Sequence, residues 1–142
     1  MRSLRTLALG ALALALVACG ESTTDPVEED NREILADPSF AVNINEIIQR
    51  RGCASSGCHG NAAGGMTLTA SAAANYAAWV DVPAAAESFL RVEPGNADDS
   101  YVVIKVEGRQ AVGERMPLGG TALDNIDLTN LRNWINNGAP NN

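Results

Sequence analysis

Residues 53–60 read CASSGCHG, and the reading of these eight residues decides what the rest of the chain must fold around. Cys53 and Cys58 are the two cysteines that follow Cys19, and His59 is the only histidine among 142 residues. One short turn thus carries two sulfur nucleophiles and an imidazole. A local Cys53–Cys58 disulfide, with His59 incidental, is one use of such a pair in an oxidising compartment. Structural zinc fits less well, since two cysteines and one histidine leave it short of a fourth strong ligand. A thioredoxin-like redox pair is disfavoured because no βαβ pattern surrounds it.

A cysteine pair that ends in Cys-His is also the attachment pattern of c-type haem. Both sulfurs would add to the haem vinyl groups, and His59 would be the proximal iron ligand. The usual spacing has two residues between the cysteines. This chain has four, Ala54, Ser55, Ser56 and Gly57, which calls for a bulge that small residues and Gly57 make sterically easy. A second ligand is expected from Met116 in ERMPLGG, where Pro117 and Gly119-Gly120 keep the chain out of a helix. Its thioether would favour ferrous iron and raise the potential. Met66, in GGMTLT, follows His59 too closely to swing easily to the opposite face, and either methionine is equally able to fill a core gap. Arg91, Lys105, Arg109 and Arg115 are candidates for pairing with haem propionates, although surface charge is the commoner role. Trp79 and Trp134 are candidates for packing on a haem ring edge, although core is the commoner role.

Working outward, four segments read as helices. Val42–Arg51 places Ile44, Ile47, Ile48 and Arg51 on one face, with Gly52 as a stop. Ala70–Val80 is alanine-rich and has Thr69 or Ser71 as its cap. Ala97–Gly108 carries Asp98 and Asp99 in its first turn, although its centre, YVVIKV, has the β-branched composition of a strand. Asp124–Gly138 has an acidic cap and an apolar stripe of Ile126, Leu131, Trp134 and Ile135. The loops between them, 59–68, 81–96 and 109–123, are long for a compact domain, as if wrapped around something.

The other end of the chain speaks for export. Residues 1–18 combine Arg2 and Arg5 with an apolar run too short to span a bilayer. The segment Leu16-Val17-Ala18-Cys19 resembles the lipobox of bacterial lipoproteins, which implies cleavage before Cys19 and lipid attached to its sulfur. Multiple acyl chains there would hold the protein stably at a membrane. By the sorting pattern of enteric lipoproteins, which this segment resembles, Gly20 in place of Asp implies the outer membrane over the inner one. Residues 19–38 are polar, acidic and contain two prolines, and read as a flexible linker. Seven of the 17 acidic residues lie in that linker. The expected domain, 39–142, is therefore only mildly acidic, with 10 acids against 7 bases. It has no basic patch for nucleic acid. Aromatic residues make up 4% of the chain, a thin supply for a core, and small domains of this kind often depend on a staple or cofactor.

From Ile44 to Ala139 the chain resembles a class of bacterial c-type cytochrome domains found in exported and lipid-anchored proteins. The matching pieces are CASSGCHG, GGMTLTA, NYAAWVDVPA, RVEPGNADDSYVVIKVEG, RMPLGG and NIDLTNLRNWINNGAP. The resemblance implies an all-α fold of about four helices whose long loops wrap one covalent haem c, with His59 and Met116 as axial ligands. It also implies that YVVIKV is helical. The expected activity is one-electron transfer between periplasmic or membrane redox partners, not enzymatic turnover. The alternative is a haem-free lipoprotein module stapled by Cys53–Cys58, with a binding or structural role.

Overall fold

The computed structural model describes residues 31–142. Four α-helices carry its regular structure: α1 (Asn45–Arg50), α2 (Ala72–Trp79), α3 (Tyr101–Glu107) and α4 (Asn125–Asn136). A π-helical turn, Phe40–Ile44, runs directly into α1, and two short 3₁₀ turns follow Cys58. Among the described residues there are no strands, only isolated bridges between Val80 and Val92 and between Pro83 and Leu90. The architecture is all-helical, as expected. Residues 1–30, with the expected signal segment and Cys19, lie outside the described residues.

Local chemistry accounts for the helix ends. The Ser71 hydroxyl, one of two expected caps, accepts from the Ala74 amide at the start of α2. The Asp124 carboxylate accepts from the Asp127 amide at the start of α4. YVVIKV is helical despite its β-branched content, since Val103 and Ile104 are buried against the core and no neighbouring strand is there to pair with it. Tertiary context overrides the weak intrinsic preference. Gly108, at φ 77°, ends this helix in the left-handed conformation that suits glycine.

Two expected boundaries need correction. Helix α3 begins at Tyr101, not Ala97, and Asp98 and Asp99 precede it. The buried Ser100 hydroxyl accepts from the Glu93 amide and donates to the Asn96 carbonyl, which holds residues 96–100 in a turn. The second correction concerns the linker, expected to run to residue 38. Arg32–Pro38 instead lie along α4, where an asparagine stripe grips their backbone. Asn130 accepts from the Leu35 amide and donates to the Glu33 carbonyl, while Asn133 and Asn137 donate to the carbonyls of Leu35 and Ala36. The folded unit therefore starts near Arg32. Nothing in the local composition shows this, because the partners are a hundred residues away.

The scarce aromatics are concentrated. Four of the six form one group centred on Phe40, whose ring lies 5.2 Å from Tyr76, 5.0 Å from Trp134 and 6.4 Å from Trp79. Ile44, Ile48, Leu131 and Ile135 pack on this group. Tyr76 and Trp134 direct their polar tips to the carbonyls of Ala139 and Pro140, so each buries its ring without stranding a donor. Asn75 is fully buried and satisfied on both sides of its amide. It accepts from the Thr69 amide and donates to the Thr69 carbonyl and the Asn45 side chain, which ties α2 to α1.

An ionic junction sets the pose of α1. Asp127 is 1% exposed, and three guanidinium groups converge on it: Arg32 at 2.5 Å, Arg50 at 2.6 Å and Arg51 at 2.7 Å. Asp124 takes a second contact from Arg51 at 2.6 Å and from Arg32 at 2.9 Å. Desolvation alone would raise the Asp124 pKa. The amide donor at Asp127 and the two arginines outweigh it and hold the carboxyl at about 2, against an ordinary 3.8. A lowered carboxylate pKa contributes stability that is complete above pH 4 and is lost as pH falls towards 2. Removing Asp127 leaves three clustered cations with one partner fewer, and Asp127→Ala is expected to cost about 3 kcal/mol. Urea unfolding at pH 7 measures this, and a change under about 1 kcal/mol would show that the junction contributes little.

Candidate functional site

The chain leaves α1 at Arg50 and turns through Gly52 into the Cys53–Gly60 segment. Its backbone closes on itself. The Cys53 amide donates to Ile48, the Cys58 amide to Ser55, and the His59 amide returns across the whole insert to the Cys53 carbonyl at 3.1 Å. The four-residue insert is thus a closed turn with Ser55, Ser56 and Gly57 at its exposed side. The sequence assigns the steric ease of this turn to its small residues and Gly57, but a Cβ at Gly57 would meet nothing within 4 Å. The demanding position is Gly60. A Cβ on it would sit 2.5 Å from the Ala54 carbonyl oxygen and 2.7 Å from that of Ser55, both backbone atoms that cannot swing aside. Gly60 can approach so closely because it has no side chain, and its amide donates to that same Ser55 carbonyl at 3.0 Å.

His59 is oriented by its own loop. Its Nδ1 lies 2.7 Å from the Ala63 carbonyl oxygen. A carbonyl can only accept, so in the neutral ring the hydrogen sits on Nδ1 and Nε2 carries the lone pair. In ligating histidines a contact of this type fixes both tautomer and ring direction. Gly64 lies close to the ring, where a Cβ would sit 3.7 Å from the imidazole Cε1. Neither loop cysteine is bridged. Cys53 is half-buried, and burial pushes its thiol above the ordinary value, with a smaller contribution from Cys58, while a backbone hydrogen bond and Arg51 oppose the shift. At neutral pH Cys53 is a protonated thiol, a poor nucleophile towards other sulfur.

Cys53, Cys58, His59 and Met116 all line one cavity of about 360 Å³. Its walls are mostly apolar. Ile47 and Ile48 of α1 form one side, Val102 and Val106 of α3 another, and Leu131 of α4 contributes from the core. The expected long loops add Ala84–Ala86, Val112, Gly113 and Met116–Leu118. Met66 lines the cavity too. Met116 is anchored by its amide, which donates to the Lys105 carbonyl at 2.9 Å. Arg115 bonds the carbonyls of Met116 and Gly120 and so stiffens the RMPLGG turn.

No family model, curated protein or solved structure matches this chain.

Arg91 and Lys105 line the cavity, but they also have structural duties. Arg91 donates to the carbonyls of Ala78 and Gly65, pinning the loop after His59 to the end of α2. Arg109 pairs with Glu107. Two further features belong here. Trp79 lies at the cavity wall, 6% exposed, and its indole N–H has no partner among the described residues. Arg51 lines the cavity and carries the ionic junction to Asp127. Only the Arg51 position on the α1 face hints at this second role.

The contrast between the two glycines is testable. Gly60→Ala is expected to destabilise the domain by roughly 2 kcal/mol or more, and Gly57→Ala by less than about 1 kcal/mol. Thermal unfolding of the two variants side by side checks this, and equal losses would contradict the close-approach account.

Proposed function

We propose that this chain is a single-haem c-type cytochrome that carries one electron between redox partners, with Cys53 and Cys58 as attachment thiols and His59 and Met116 as axial ligands. The observation that carries this reading is the convergence of those four residues on one apolar cavity. Nothing local in the sequence obliges Met116, 57 positions after His59, to reach the same space.

The residues fit the group in three further respects. The cavity volume falls within the range of about 300–1,000 Å³ common to small-molecule and cofactor sites. His59 presents a free Nε2 lone pair because Nδ1–H is committed to Ala63. Trp79 brings a buried, unpartnered N–H to the wall, where a carboxylate-bearing planar group supplies the missing acceptor. When bound, haem supplies an iron that cycles between two oxidation states. The protein's part is to hold the imidazole in one tautomer, to bring a thioether from a backbone-anchored loop, and to exclude water with apolar walls. Low wall polarity and thioether ligation both favour the ferrous state.

The domain is further proposed to be tethered to a bacterial membrane through lipid on Cys19, facing the periplasm or the cell surface. Among the described residues no helix is long and apolar enough to cross a membrane. The haem-free, disulfide-stapled module is the competing outcome of the same experiment.

Expression with haem-maturation machinery is expected to give a protein whose haem bands survive acid-acetone extraction. An intact mass lacking haem but two hydrogens light, with no titratable thiol at Cys53 and Cys58, would replace the cytochrome reading with the stapled module. In the haem-bearing protein, Met116→Ala is expected to abolish the far-red band of the oxidised form, whereas Met66→Ala leaves it. The reverse pattern would transfer the axial role to Met66.

A further inference from the structure

One wall of the cavity is made of two loops, and a single carboxylate joins them. Glu87 belongs to the 81–90 loop, whose Ala84, Ala85 and Ala86 face the cavity. Its Oε1 accepts from the Ala111 amide at 3.2 Å, the Val112 amide at 3.2 Å and the Tyr101 hydroxyl at 3.1 Å. Its Oε2 takes a longer contact from Ala111 at 3.4 Å. Ala111 and Val112 lie in the loop that ends at Met116, and Val112 and Met116 both line the cavity.

The rest of that loop is held at its two ends. The Arg109 amide donates to the Ile104 carbonyl and the Met116 amide to that of Lys105. Between them, the bonds of Glu87 are supplemented by a long contact from Lys105 Nζ to the Val112 carbonyl at 3.4 Å. Two backbone amides aimed at one carboxylate form charge-assisted bonds, stronger than neutral ones. The 81–90 loop is itself braced, because Phe89 stacks on Tyr101 with centroids 6.2 Å apart and the Ala84 amide donates to the Phe89 carbonyl.

We propose that Glu87 is a positioning residue, a latch that holds the 109–116 loop, and with it Met116, closed over the cavity. The consequence for iron ligation rests on the haem reading above, whereas the latch itself does not. The charged and titratable groups facing Glu87 are Tyr101 and Lys105, both on α3. Partial desolvation raises the Glu87 pKa, but the amides of Val112 and Ala111, the Tyr101 hydroxyl and Lys105 outweigh it and leave it lowered. The latch is therefore engaged above the ordinary glutamate range and released as pH falls below it, while the Tyr101 hydroxyl keeps its proton throughout.

The test uses the full chain and three variants, Glu87→Ala, Glu87→Gln and, as a control on the same loop, the exposed Glu114→Gln. In Glu87→Ala, amide exchange at Ala111 and Val112, followed by NMR, is expected to accelerate about tenfold or more, with α4 unchanged. Unchanged exchange at those two amides would overturn the latch, whether or not haem is attached. In haem-bearing protein, imidazole is expected to displace the axial thioether from Glu87→Ala at about tenfold lower concentration than from wild type or Glu114→Gln. Equal concentrations would overturn the link to Met116. On acidification, wild type is expected to lose the far-red band in a step that Glu87→Gln lacks. Should Glu87→Ala fail to fold, this pH comparison decides, and an identical acid step in both proteins would count against the proposal. A chain without haem ends the cytochrome reading and leaves the exchange measurement to decide the latch.

Discussion

Three guanidinium groups meet one buried carboxylate at Asp127, and much else in the molecule is hung from that point. Arg50 and Arg51 end α1, and the Cys53–Gly60 turn begins two residues later. Fixing the end of α1 therefore fixes where the first cysteine leaves the helix and which way Ile47 and Ile48 face. Arg51 serves both purposes, since it lines the cavity while its guanidinium spans Asp124 and Asp127. Charges this close are held at a desolvation cost, and their mutual contacts tie α1, α4 and the N-terminal segment into one arrangement. Arg32 brings the N-terminal segment into the same arrangement.

Around that anchor the site is assembled mostly from backbone hydrogen bonds. His59 returns to Cys53, Leu68 returns to His59, and Met116 binds Lys105. Small residues make this feasible. Alanines at 84–86 and the glycines that follow His59 let chain segments approach each other and the cavity without side chains in the way. The few aromatics are kept for the opposite task, with Phe40, Tyr76 and Trp134 filling the core behind the cavity. Trp79 lies between the two regions, its ring against Phe40 at 6.4 Å and its unpartnered N–H buried at the cavity wall.

The legible parts of the sequence were those governed by neighbours in the chain. Helical spacing at Ile44, Ile47 and Ile48, the acidic cap at Asp124 and the Gly108 stop depend on residues within a turn or two, and all four helices are where such signals point. The Cys-His turn was equally legible as a local group. Long-range polar pairing was not. Asp127 looks like an ordinary first-turn acid, yet its partners are 76, 77 and 95 residues away. The asparagine stripe of α4 reads as a solvent-facing surface, because an amide that grips a distant backbone has the same local signature as one that faces water. The start of α3 failed for a related reason. Asp98 and Asp99 suit a first helical turn, but the Ser100 hydroxyl is bound to Glu93 and Asn96, and Asp98 is engaged with Arg132.

The early start of the folded unit changes what a lipid on Cys19 would permit. A linker running to residue 38 would hold 19 residues after the cysteine, or about 65 Å fully extended at roughly 3.4 Å per residue. With Arg32 bound to Asp124 and Asp127, 12 residues remain, and the reach shortens to about 40 Å. Partners of a domain so tethered would have to meet it within a protein diameter or two of the membrane surface. The Arg32 contacts are ionic and only partly shielded, 26% exposed on the arginine side, so salt weakens them more than it weakens the fully buried packing beneath. Ionic strength would then act mainly on docking: salt screens attraction to a charged partner, whereas the asparagine stripe still holds Glu33, Leu35 and Ala36 when the Arg32 clasp loosens, so the reach hardly changes.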